Sequence, residues 1–86
     1  MTYYNIIIAP RAEKQISRLP PYIKLRMGVV LTDVLAKDPF LGKALKADLK
    51  GLYSYRMGDY RIIYSIVKHR LVIQIIKVMH RREVYR

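Results

Sequence analysis

The chain has 86 residues and no cysteine, and its 17 Lys and Arg against six Asp and Glu give a formal net charge of +11. That length fits one small domain, residues 1–86, with a thin core, and a 52% hydrophobic content argues against intrinsic disorder. There is no thiol for a disulfide or a thiolate metal site, no apolar run of membrane-spanning length, and no basic leader in Met1–Asn5, so a cytoplasmic protein with no membrane partner is expected.

Tyr3 to Ile8 is aromatic and β-branched and predicts a buried strand. Pro10 opens a helix, since proline is tolerated in a first helical turn, and Ala12, Ile16 and Leu19 form one apolar stripe along it. Pro20-Pro21 stops that helix and starts a second, whose stripe is Ile23, Met27, Val30, Leu31 and Val34. Gly28 inside this helix should cost about 1 kcal/mol relative to alanine, so close helix packing is expected there. Asp38-Pro39 ends the helix, because the residue before a proline is pushed out of the α region. From Gly51 the period changes to two: Leu52–Met57, Tyr60–Val67 and Leu71–Val78 predict three strands. Their breaks, Gly58-Asp59 and Lys68-His69-Arg70, are short enough for antiparallel hairpins. The expected class is α+β: an N-terminal strand, a two-helix hairpin, then three antiparallel strands, with helices on one face of the sheet.

The charge is uneven. Residues 43–86 hold eleven bases and three acids, which is +8 of the +11. Such a domain repels itself unless a polyanion or an acidic partner offsets the field, and nucleic acid leads the candidates. A solubilising surface and an acidic protein partner are the alternatives.

A two-residue turn at Gly58-Asp59 pairs Met57 with Tyr60 and sets Arg56 directly opposite Arg61. Like charges so placed destabilise a sheet, whereas a phosphate would use both planar guanidinium forks. The plain alternative is that both arginines lie along a solvated face. With a three-residue loop at 68–70, Lys77 pairs with Arg61, and Arg81 lies beyond it toward Gly58 in the same alternation phase. Arg56, Arg61, Lys77 and Arg81 thereby converge on one end of one face, and Tyr85 follows as a ring on which an unstacked base could lie. His80 falls in the opposite phase, and His69 sits in a turn. The acids Glu13, Asp33, Asp38, Asp48, Asp59 and Glu83 are scattered, so neither a zinc site nor a two-metal nuclease centre is expected.

Leu49-Lys50-Gly51-Leu52, Tyr60-Arg61-Ile62-Ile63-Tyr64, His80-Arg81 and Val84-Tyr85, in this order, resemble the RelE branch of the RelE/ParE toxin superfamily along essentially the whole chain. The resemblance implies a microbial-RNase-like fold, an antitoxin partner, and cleavage of messenger RNA in the ribosomal A site without metal or cofactor. By this resemblance Arg61 contacts the scissile phosphate, Arg81 stabilises the leaving group or transition state, and Tyr85 stacks on the A-site nucleotide. Arg56 stands where the best-studied branch has a lysine that activates the 2′-hydroxyl, and that branch's second lysine falls on Ser54. The expected catalytic residues are Arg56, Arg61, Arg81 and Tyr85, with Lys50, Ser54, Lys77, His80 and Arg82 contacting RNA. Two other readings stay open: a ParE-like poison of DNA gyrase, and a basic RNA- or ribosome-binding module without activity.

Overall fold

The computed structural model describes residues 3–84. In chain order it contains β1 (Asn5–Ile8), α1 (Pro10–Ser17), α2 (Pro21–Val29, continued as a π-helix over Val30–Leu35), β2 (Lys43–Ala44), β3 (Leu52–Met57), β4 (Tyr60–Val67), β5 (Val72–His80) and α3 (Arg81–Val84). The five strands form one sheet in the order β1-β5-β4-β3-β2. β1 runs parallel to β5, and every other pair is antiparallel. The α+β class read from the sequence is the observed one. The two-residue strand β2 and the short helix α3 are additions to it.

Proline shapes the helical half as expected, standing at the start of both α1 and α2. The side chains of Ala12, Met27, Leu31 and Leu35 pack on Ile62, Tyr64, Ile73, Ile75 and Val78 from the inner face of the sheet. Two expectations about α2 need correction. The helix widens after Val29, with Ala36 N–H donating to the Leu31 carbonyl five residues back. The Thr32 hydroxyl donates to the Gly28 carbonyl at 2.9 Å, competing for the acceptor that an α-helix offers to the Thr32 N–H. The wider turn rotates the stripe by one residue, so Leu35 and Ala36 are buried and Val34 only half-buried. Gly28 is no close-packing site: it is exposed, and a Cβ there would meet open space.

β1 is an edge strand rather than a buried one. Helices cover one face only, so Ile6 and Ile8 turn inward while Ile7 stays 52% exposed. β1 ends where Pro10 turns the chain into α1, but β5 runs on past it. The N–H of Val78, which β1 does not reach, is taken by the Gln15 side chain of α1 at 2.7 Å, in keeping with the rule that backbone polar groups find partners.

The pairing of β4 with β5 departs from the sequence reading. Leu71 joins the loop in a left-handed conformation (φ 55°), which lengthens the connection by one residue. A second residue, Ile76, is left unpaired where the register shifts between Tyr64↔Ile75 and Ile63↔Lys77. Lys77 therefore faces Ile63, and Arg61 faces Met79. Since the two shifts sum to an even number, Lys77 and Met79 stay on the face of Arg61, whereas Ile73 and Ile75, before the irregularity, are turned into the core.

The centre of the sheet is tied to the β2 region by one phenol. Fully buried Tyr64 donates to the Pro39 carbonyl at 2.7 Å and accepts from the Gly42 N–H at 3.2 Å. A Cβ on Gly42 would overlap that hydroxyl, so only glycine fits. Burial pushes the Tyr64 pKa up to about 12, with the Gly42 N–H pulling the other way. The folded value lies above the unfolded one of about 10, so the neutral phenol's contribution is complete below pH 10 and is lost as pH rises from there through 12. Tyr64→Phe should cost about 1–2 kcal/mol at neutral pH and should flatten the loss of stability between pH 10 and 12. Urea titrations of both proteins across that range check this; parallel pH profiles would contradict it. Gly28→Ala should do the opposite and stabilise by about 1 kcal/mol, read as a higher urea midpoint with unchanged slope.

Candidate functional site

Because both helices cover the inner face, the outer face of the sheet is left open, and alternation decides what it carries. The two-residue turn Gly58-Asp59, with positive φ only at Gly58 (60°), has the form that places glycine first. It pairs Met57 with Tyr60 and Arg56 with Arg61. Arg56, Arg61, Ser54 and Ile63 are consequently on the outer face, while Met57, Ile62 and Tyr64 are on the core side. From β5 the same face receives Lys77 and Met79.

These residues border a pocket of about 280 Å³ lined by Leu45, Leu49, Ser54, Arg61, Ile63, Lys77 and Met79. Its walls are apolar from the β2–β3 connection and from Met79, its floor is Ser54 and Ile63, and its charged lining is two cations with no carboxylate. Arg56 flanks it from the turn side, its Nε donating to the Gly58 carbonyl at 3.3 Å. A pocket with an apolar wall and paired cations suits a flat ring bearing an adjacent anion, as in a nucleotide.

Of the residues singled out in the sequence, Arg61, Ser54 and Lys77 meet in this pocket and Arg56 stands beside it. Arg81 does not continue β5 as a strand residue. It begins α3, and its backbone N–H donates to the Asp59 carbonyl at 2.7 Å. Its guanidinium lies 3.6 Å from the Asp59 carboxylate, with both side chains about 60% exposed. A pair so exposed contributes at most about 1 kcal/mol, so Arg81 is at the turn end of the sheet on a lightly held side chain. Lys50 and Arg82 are exposed, Lys50 next to the pocket residue Leu49 in the chain.

His80 does not join this group. It pairs with Tyr60 on the helix side of the sheet, its ring edge-on to that tyrosine at 5.0 Å, and its Nδ1 accepts from the Arg82 N–H. Tyr85 lies outside the described residues. Sequence reading missed Leu45, Leu49, Ile63 and Met79 as lining residues. Ile63 and Met79 follow from strand phase once the register is known, whereas Leu45 depends on a strand too short to read.

Comparison with known proteins accords with this geometry. A family model described as the ParE toxin of a type II toxin–antitoxin system matches residues 6–85. The chain belongs to the RelE/ParE toxin superfamily. This toxin is 36% identical to the toxin RelE of Mycobacterium tuberculosis over 96% of its own length and 87% of the relative's. It is 31% identical to the toxin RelG of the same organism, over 96% and 97% of the two chains. Its backbone superposes on a chain of the M. tuberculosis RelBE2 toxin–antitoxin complex with a TM-score of 0.88, at 30% identity and 93% coverage of each chain. It is thus a toxin of a RelBE-type toxin–antitoxin system.

The opposed arginines carry a measurable consequence. Arg56→Gln should raise thermal stability slightly, by a few tenths of a kcal/mol, because it relieves a like-charge cross-strand pair. The same change should weaken the binding of single-stranded RNA. Calorimetric unfolding and RNA titration on one protein sample check both; lowered stability would contradict the reading of this pair as strained.

Proposed function

We propose that this toxin is an endoribonuclease that cleaves messenger RNA in the A site of the ribosome, in the cytoplasm, and thereby stops translation. The observation that carries the reading is the open pocket in which Arg61 and Lys77 stand over Ser54, with Arg56 paired to Arg61 across the turn. In the proposed reaction the ribose 2′-oxygen attacks the adjacent phosphorus and gives up its proton. The bond from phosphorus to the 5′-oxygen breaks, and that oxygen takes a proton. The products are a 2′,3′-cyclic phosphate, which can open to a 3′-phosphate, and a 5′-hydroxyl end.

Arg61 and Arg56 would stabilise the negative charge that builds on the phosphoryl oxygens. Neither can serve as a base, since a guanidinium keeps its proton. Arg81, at the turn end of the sheet, would swing from Asp59 to the departing oxygen, a small cost given how weak an exposed pair is. Tyr85 would stack on the A-site nucleotide, with Lys50, Lys77 and Arg82 on flanking phosphates. Ser54 would hydrogen-bond the nucleotide from the pocket floor, while His80, on the far face, is left to a structural role. Among the described residues no three His, Asp or Glu side chains cluster, so this reading takes its charge stabilisation from the chain's own cations. Positioning of the RNA by the ribosome would supply much of the rest.

Its partner in the cell would be a cognate antitoxin, by likeness to the RelBE2 complex. The +11 charge and the exposed Tyr22, Leu25 and Val29 along α2 offer that partner both ionic and apolar contacts.

The test is translation of a defined message on purified ribosomes, with RNA ends mapped. Wild-type toxin should leave 5′-hydroxyl ends at A-site codons, and Arg61→Ala should slow cleavage by about 100-fold or more. Removal of transition metals with Mg²⁺ retained should leave the rate unchanged. Intact message together with stalled gyrase–DNA complexes would instead establish the gyrase reading, and intact message on arrested ribosomes the non-catalytic one.

A further inference from the structure

The strand registers line up a row of side chains across four strands of the open face. Lys43 on β2 faces Ser54, Ser54 faces Ile63, and Ile63 faces Lys77. Adjacent strands are about 4.8 Å apart, so this row spans roughly 14 Å between its two ends. Both ends are lysines, and between them is the floor of the pocket. Resting on the nuclease reading above, the geometry points to Lys43 as a further RNA-binding residue, contacting the phosphate that flanks the bound nucleotide on the β2 side, opposite Lys77.

Three observations carry this. Directly paired strand residues share a face with Cβ atoms about 5 Å apart, so the Lys43 stem rises beside the small Ser54. The face assignment has an independent check in Leu45, two residues on and in the same phase. Its N–H donates to the Leu52 carbonyl at 2.9 Å, and its side chain lines the pocket beside Ser54 and Arg61. The backbone is also held in place. Gly42, immediately before Lys43, donates to the buried Tyr64 hydroxyl, so the lysine projects from a point anchored to the core. Among the described residues the one ion pair is that of Arg81 with Asp59, which leaves the Lys43 ammonium available to a phosphate. Neither composition nor periodicity singles out Lys43, since a two-residue strand carries no readable alternation.

A lysine on an edge strand has another use, to keep sheets from pairing edge to edge, and the test separates the two. Lys43→Gln, Lys43→Arg and Arg61→Gln are compared by titration with a fully 2′-O-methylated single-stranded RNA over a range of salt, and by cleavage on programmed ribosomes. Lys43→Gln should lower the salt dependence of RNA binding by about 0.7 in the log–log slope, the loss of one phosphate contact on a single strand. It should also lower kcat/KM by about fivefold, mostly through KM, and Lys43→Arg should restore both. An unchanged slope and unchanged kcat/KM in Lys43→Gln, with Arg61→Gln impaired, would overturn this inference and leave the nuclease reading standing. If Arg61→Gln is silent as well, the nuclease reading itself fails.

Discussion

The Gly58-Asp59 turn sets the register of β3 against β4, and the placement of Ser54, Arg56 and Arg61 on the open face depends on that register. Met57 meets Tyr60 and Arg56 meets Arg61 because the turn holds two residues and glycine supplies the one positive φ it needs. A slip of one residue would exchange the faces of a strand, driving guanidinium groups toward Met27 and Leu35 and turning Ile62 and Tyr64 out to water. The cost of burying an unpaired charge is several kcal/mol, far more than the fraction of a kcal/mol lost by setting two arginines side by side on the open face. The apolar core thus imposes the arrangement that the cationic face exploits.

The outer strands add to this in unequal ways. β5 contributes Lys77 through a register that is displaced twice, once by Leu71 entering the loop and once by the unpaired Ile76. A single displacement would have put Lys77 in the core, and two leave it on the open face, two positions further along the strand pair than a regular hairpin predicts. β2 is only two residues long, but it is fixed through Gly42 to the Tyr64 phenol, so the pocket's apolar wall is coupled to the centre of the sheet.

What the sequence revealed and what it hid divide along physical lines. Strand phase and the two-residue turn are local properties, so the Arg56–Arg61 opposition could be read directly. The helix starts at Pro10 and Pro21 were legible for the same reason. The π-helical turn, the Ile76 irregularity and the left-handed Leu71 were not, because each is a compromise between local preference and packing across the sheet. Gly28 misled in the other direction: glycine in a helix suggests a close contact, and here there is none. At the site, Arg61 and Lys77 were joined correctly on a face but in the wrong rows. Arg81 was expected on a strand and begins a helix held by Asp59. Leu45 and Lys43 were invisible because their strand is defined by pairing with β3 and not by any pattern of its own.

The claim at the centre of this account is that the open face between Arg61 and Lys77 receives the RNA to be cut. The measurement that tests it most directly is the structure of the toxin on a ribosome whose A-site codon is 2′-O-methylated and cannot be cleaved. The account predicts the scissile phosphate within hydrogen-bonding distance, about 3 Å, of the Arg61 guanidinium, with the adjoining nucleotide over Ser54 and Ile63. A message bound along α1 and α2 or at the free edge of β1, with the pocket facing solvent, would contradict it.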